Sequence, residues 1–401
     1  MEYNTEPLVQ QKNFRSSRVT SDNFSRRRFL QLGGLGVVGG ISFPTLANAS
    51  QHRLLYVGTY TSGTSEGIYL YAMNAATGAL THLATAKSIN PSFLVVNAGR
   101  FLYAVNEVPD LAGKRTGGVS AFAIDRSSPK ITFINQQPSE GADPCHLSFD
   151  RQRKHLLVAN YTSGTVAVLP IQRDGSLGPA VDVKQHEGSG PREQQKGPHA
   201  HCMKLDRANR YAFAADLGSD KVMIYRFNPV SGKLEPGPQP SATLHAGAGP
   251  RHLTFHPNGK YLYVINELDS SLTTFKYDPV KATLTAFETV STLPRNFNGT
   301  SYCADVHISK SGQFLYGSNR GHNSIVVFAI DPRTGRLTLV QHVSTEGNWP
   351  RNFVIDPAGR FLLVANQRSD NVVVFRIDPQ TGRLTPAGTG AQIPVPVCLS
   401  F

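Results

Sequence analysis

From residue 54 onward the chain is a succession of short apolar runs separated by polar turns that carry glycine and proline. β-Branched and aromatic residues alternate within the runs, and no later stretch holds a helical period for three turns, so the pattern predicts strands throughout. The runs also repeat. His252-Leu253-Thr254-Phe255-His256-Pro257-Asn258-Gly259, followed by Tyr261-Leu262-Tyr263-Val264-Ile265-Asn266-Glu267, shares its plan with Phe353-Val354-Ile355-Asp356-Pro357-Ala358-Gly359, followed by Phe361-Leu362-Leu363-Val364-Ala365-Asn366-Gln367.

The second strand of this unit recurs at Leu54, Phe101, His155, Arg210, Lys260, Gln313 and Arg360, at intervals of about 50 residues. Each interval has room for four short strands, the third and fourth joined by an Asp-Pro-x-x-Gly type of turn. Seven copies predict an all-β, seven-bladed β-propeller over residues 50-401. The first copy lacks the strand that opens the others. Its counterpart stands at the other end of the chain, where Pro396-Val397-Cys398-Leu399-Ser400-Phe401 matches Pro144-Cys145-His146-Leu147-Ser148-Phe149. The ring is therefore expected to close by pairing of the C-terminal strand with the first blade, which leaves no open seam.

Residues 1-49 do not share the pattern. Ser25-Arg26-Arg27-Arg28-Phe29-Leu30, a glycine-rich apolar stretch from Leu32 to Leu46, and Ala47-Asn48-Ala49 follow one another in the order of a twin-arginine signal peptide and its cleavage site. The expected mature chain starts near Ser50 and reaches the periplasm or the extracellular space through the twin-arginine export machinery. The apolar stretch is too short and too rich in glycine to form a stable membrane anchor.

Of the formal net charge of +12, the leader carries +3, leaving +9 on the body. That body has no Lys/Arg run and no helix-turn-helix, zinc or RNA-binding signature, so no nucleic acid is expected as a partner. Cys145, Cys202, Cys303 and Cys398 have no metal-ligand spacing, and all sit in matching segments of different repeats, as small buried residues do. Metal sites are not expected, because neither a helical His-x-x-x-His nor a carboxylate-rich loop occurs.

In a propeller the start of each first strand and the end of each second strand open on one face. Asn106, Asn160, Asn266, Asn319 and Asn366, with Asp216 in their place in one copy, recur at the end of strand two, so they read as structural. The next position varies as Glu107, Tyr161, Leu217, Glu267, Arg320 and Gln367, the variety that an asymmetric site needs. At the start of strand one stand Cys145-His146, His199-Ala200-His201, Arg251-His252, Asp305 and Arg351-Asn352. Carboxylates or neutral imidazoles to take a proton from water, with guanidiniums to hold an anion and stabilise an oxyanion, fit hydrolysis of an ester-like carbonyl. Without a Gly-x-Ser-x-Gly elbow, a serine nucleophile is not expected.

With these residues in view, the chain resembles the 6-phosphogluconolactonase-type propeller lactonases, a family related to carboxymuconate-lactonising enzymes. The resemblance spans most of residues 53-401. It runs through Gly197-Pro198-His199-Ala200-His201, Gly249-Pro250-Arg251-His252, Asn266-Glu267, Ser318-Asn319-Arg320-Gly321-His322 and Asn366-Gln367. It implies a site without cofactor, built from one His, two Arg and one Glu, which here fall on His199 or His201, Arg251, Arg320 and Glu267. His146, His252, Glu107, Asp305, Arg351 and Gln367 are the expected substrate-binding residues around them.

The departure is the leader, because a phosphorylated sugar lactone is not an expected metabolite outside the cytoplasm. A small lactone, anionic or polyhydroxylated, is the expected partner. Two other functions stand beside lactone hydrolysis: a lactonising isomerase of an unsaturated diacid, and a non-catalytic binding platform. A platform favours exposed aromatics, whereas this rim is charged and suits a small anion.

Overall fold

The computed structural model describes residues 51–125 and 127–401; the leader, with its arginine pair and cleavage triplet, lies outside them. The described residues form seven four-stranded antiparallel sheets arranged as a ring of blades, and the first and last strands of the chain share one sheet. In that blade, here blade 1, Pro396–Ser400 pairs antiparallel with His52–Thr59, Val57 facing Leu399 and Gly58 facing Cys398. The expected closure is thus observed.

The core is divided among the interfaces between neighbouring blades. One apolar cluster joins Leu55, Val57, Tyr71 and Met73 of blade 1 to Phe361, Leu363, Val372 and Val374 of blade 7, and another joins Tyr56, Leu70 and Cys398 of blade 1 to Leu102, Ala104 and Phe122 of blade 2. Each sheet is therefore covered on both faces. That is why the second strands, such as Tyr261–Asn266 and Phe361–Asn366, are buried at every position rather than at alternate ones. Full burial of each such side chain stabilises the ring by about 1.5–3 kcal/mol.

The repeated turns have identifiable physical roles. In Asp331-Pro332-Arg333-Thr334-Gly335 the Asp331 side chain accepts from the backbone of Arg333 at 2.8 Å and of Thr334 at 3.2 Å, closing an Asx turn. Gly335 has φ +73°, and a Cβ on it would lie 2.6 Å from the ring of Tyr261 in the preceding blade. The Tyr263 hydroxyl donates to the Gly335 carbonyl at 2.9 Å, which ties two blades together. The Asn at the end of four second strands acts similarly, Asn160 for example donating to the carbonyl of Ser139 at 2.9 Å and Asn366 to that of Thr345 at 3.1 Å. Both acceptors lie on the link arriving from the previous blade, so the recurring Asn is structural.

Candidate active site

One irregularity, repeated around the ring, builds the site. In the inner strands the pairing skips a residue: Pro144 and His146, Ala200 and Cys202, Pro250 and His252, and Pro350 and Asn352 face consecutive residues of their second strands. An unbroken strand would send consecutive side chains to opposite faces. The bulge instead gives the channel two residues from each strand. The skipped residues Cys145, His201, Arg251 and Arg351 form an upper layer near the mouth. The residues after them, including His146, His252 and Asn352, form a waist one layer deeper, joined by Asp305 from an inner strand whose pairing shifts between Cys303 and Val306.

The mouth is organised around Glu267. Its Oε2 lies 2.9 Å from Nε of Arg251 and 2.9 Å from Nη2 of Arg320. All three residues are at most 7% exposed. Arg251 also donates to the Ala304 carbonyl at 2.6 Å and Arg320 to that of Cys303 at 2.7 Å, so both guanidiniums are fixed from a neighbouring strand. Burial by itself would raise the Glu267 carboxyl, but Arg320, Arg251 and Arg351 outweigh it and hold the group below the usual carboxylate range. Burial, reinforced by Arg320, lowers the Arg251 guanidinium to about 10. The Arg320 guanidinium also lies 5.5 Å from the ring centre of Trp349, which walls this side.

Glu107 anchors the other side of the mouth. The Tyr60 hydroxyl donates to it at 2.8 Å, and the Ser92 hydroxyl donates to its second oxygen. Arg351 lies 3.9 Å from Glu107 and 5.2 Å from the ring centre of Tyr60. Although burial opposes the Arg351 charge, Tyr60, Glu107 and Glu267 reverse the balance and keep it a firm cation. A small cavity between the two halves is lined by Glu107, Cys145, Arg251, His252 and Arg351. Three guanidiniums against two carboxylates leave the mouth with an excess positive charge, suited to an anion or a developing oxyanion.

The two histidines left open by the sequence are in different places. His199 is half-buried on the rim, stacked on Tyr161 with ring centres 4.5 Å apart, and its Nδ1 donates to the Tyr161 carbonyl at 2.9 Å. A loop carrying a short 3-10 turn, Glu193–Gln195, leads into it; the buried Gln195 side chain fixes that loop to the Leu217 carbonyl at 2.8 Å. His201 is buried in the layer of Arg251, its ring 5.3 Å from that of His252 and its Nδ1 3.7 Å from the Cys145 thiol. Burial, followed by Arg251 and His252, pushes its imidazole well below the ordinary range, so it is neutral.

His252 and Asp305 belong to the waist. His252 Nε2 lies 3.3 Å from Nη1 of Arg251; a guanidinium has only donors, so the imidazole proton is on Nδ1, donated to Asp305 at 2.7 Å. The other Asp305 oxygen accepts from Asn352 at 2.6 Å and His307 at 3.0 Å. His252 is lowered to about 4 by burial and by Arg251, which outweigh Asp305. These residues therefore brace Arg251 from below. His146, 1% exposed, packs its ring 4.5 Å from Phe93 and 5.5 Å from His252. Gln367 stays at the rim, its backbone N–H on the Trp349 carbonyl at 3.0 Å.

Sequence reading passed over Tyr60 and Ser92, which hold Glu107. Tyr60 follows the second strand of blade 1 as Glu107 follows Asn106, and Ser92 follows Pro91 as Arg251 follows Pro250, so extending the comparison of repeats to the first two blades would have found both. The four cysteines are free and buried. Among the described residues no group of three or more His, Cys, Asp or Glu is arranged to hold a metal ion.

Comparisons with known proteins agree with this architecture. A family described as "Lactonase, 7-bladed beta-propeller" matches residues 54–401. A Bacillus subtilis protein named 6-phosphogluconolactonase is 40% identical over 351 residues, 86% of this chain and 97% of that one. A Formosa agariphila protein of the same name is 36% identical over 314 residues, 76% of this chain and 86% of its own. Among solved structures, the Pseudomonas aeruginosa periplasmic gluconolactonase PpgL superimposes with a TM-score of 0.82 at 36% identity, covering 86% of this chain and 98% of that one. The chain belongs to the seven-bladed β-propeller lactonase family.

Proposed function

We propose that this protein is an exported, metal-independent lactonase that opens a sugar-type lactone to the corresponding acid at the Glu267–Arg251–Arg320 mouth. The observation that carries the reading is the single carboxylate held by two buried guanidiniums, 2.9 Å from each. In this arrangement proton transfer is coupled to charge stabilisation. When Glu267 takes the proton of a water attacking the lactone carbonyl, it stops neutralising Arg251 and Arg320. Their charge then passes to the oxyanion as it forms.

Collapse of the tetrahedral intermediate breaks the bond from the carbonyl carbon to the ring oxygen. The protonated Glu267 returns its proton to that leaving oxygen. The product is a hydroxy acid, which ionises in solution. Neutral His201 orients the water or a substrate hydroxyl, Arg351 receives an anionic or hydroxyl-rich part of the substrate, and His252, Asp305 and His146 support the layer below. Glu107, Gln367 and His199 line the rim around the substrate.

Residues 1-49 are, on this reading, a twin-arginine signal peptide and residues 50-401 the mature propeller in the periplasm or beyond. Support comes from the ordered leader motifs and from PpgL, a periplasmic gluconolactonase of the same fold. An unphosphorylated aldonolactone fits that location better than a phosphorylated one. The test is acid release by the purified mature protein across a panel of phosphorylated and unphosphorylated sugar lactones. Glu267→Gln is expected to lower kcat about 100-fold or more while KM changes little. Parent-like turnover by Glu267→Gln would remove Glu267 from the chemistry, and no turnover of any lactone would favour the binding-platform reading.

A further inference from the structure

Below the waist the channel widens into a second cavity of about 430 Å3, toward the far ends of the inner strands. The repeats supply their own reference for this region. Two positions after the waist residue, the inner strands place Val95, Ser148, Thr254, Val354 and Ser400 in five blades but Lys204 and His307 in the other two. Blade-specific departures from a repeated position pointed to the proposed front mouth, and the same logic applies here.

Lys204 lines this cavity and is half-buried, and its ammonium makes no hydrogen bond or ion pair among the described residues. By contrast, every guanidinium of the front mouth is held by a carboxylate. Asp305, the acidic group lining the chamber, already accepts from His252, Asn352, His307 and the backbone of Val306, so it has little capacity left for the lysine. His307 keeps its other ring nitrogen directed away from Asp305, and its side chain is 33% exposed. Most of the remaining wall is apolar, with Phe93, Phe149, Val354 and Phe401 among it. An unpaired ammonium on an apolar wall, inside a concavity of ligand size, is a recognition site for an anion with an apolar body.

We propose that this far chamber is a second binding site, separate from the front mouth, that takes a small organic monocarboxylate with an aromatic or branched aliphatic body. The carboxylate pairs with Lys204, and the body packs against the phenylalanine and valine side chains. This assignment is independent of whether the front mouth hydrolyses lactones.

The probe is benzoate, titrated calorimetrically into the full chain at pH 7.5 and followed in parallel by thermal melting. The expected result is binding with Kd on the order of 1 mM, weakened at least tenfold in Lys204→Met, retained in Lys204→Arg and unchanged in Glu267→Gln. Melting of each variant without ligand separates loss of the site from loss of the fold. Three results would each overturn the proposal: no binding to the parent, parent-like binding by a folded Lys204→Met, or binding that Glu267→Gln abolishes while Lys204→Met leaves it intact.

Discussion

Arg251 and Arg320 share one carboxylate, so removing either changes both charge and geometry at the mouth. Arg320 lowers the proton affinity of Glu267; without it the carboxyl titrates at higher pH. A base that must be ionised is lost as pH falls through its pKa, so the acid limb of kcat/KM should move to higher pH in Arg320→Met, measured as a pH–rate profile against the parent. An unmoved limb would mean that another group sets it. Arg251→Ala is expected mainly to raise KM, by roughly 10-fold or more if one charge-assisted contact of about 1.5–3 kcal/mol is lost. The two histidines separate by the same kind of measurement. His199→Phe preserves the stack on Tyr161 and should leave kcat within a few-fold, whereas His201→Phe removes the buried imidazole beside Arg251 and should lower kcat about 10-fold or more. The reverse order would move the site outward to the rim.

At the scale of the strand, the informative elements are the bulged inner strands and the strand that closes the ring. Residue types at the mouth were legible in the sequence because repeats can be compared with one another. Their depth was not, since a bulge is a one-residue shift in pairing that leaves the local hydrophobic pattern unchanged. Thus Arg251 and His252, adjacent in sequence, form different layers, and Asp305 and His146 sit below the residues with which they were grouped. The closing strand carries Val397, Cys398 and Leu399, all at most 5% exposed. Deleting residues 396–401 loses their burial and opens two strand edges, a cost of about 5 kcal/mol or more. The melting temperature should fall by about 10 °C or more, and a deletion variant that melts with the parent would refute closure as a source of stability.

For the whole molecule, the ring and its leader pose separate questions. Export is tested by replacing Arg26 and Arg27 with Lys and fractionating cells. The periplasmic yield should collapse, with full-length chain retained in the cytoplasm; an unchanged yield would argue for another route. The sequence by itself determined the blade number, the all-β class, the joining of the two chain ends and the family, because each blade repeats a local pattern of strand, turn and burial that no distant contact is needed to read. It also supplied the chemical types at the mouth, because blade-specific residues stand out against repeated ones. Only the tertiary structure decided which of these side chains meet. The clamp on Glu267 draws Arg251 from its own blade and Arg320 from the next, 69 residues later in the numbering. Likewise the pairing of Glu107 with Tyr60 and Arg351 joins three blades across the seam of the ring. Distances of that kind are set by ring closure and by the bulges together, and neither leaves a signature in the spacing of residues along one strand.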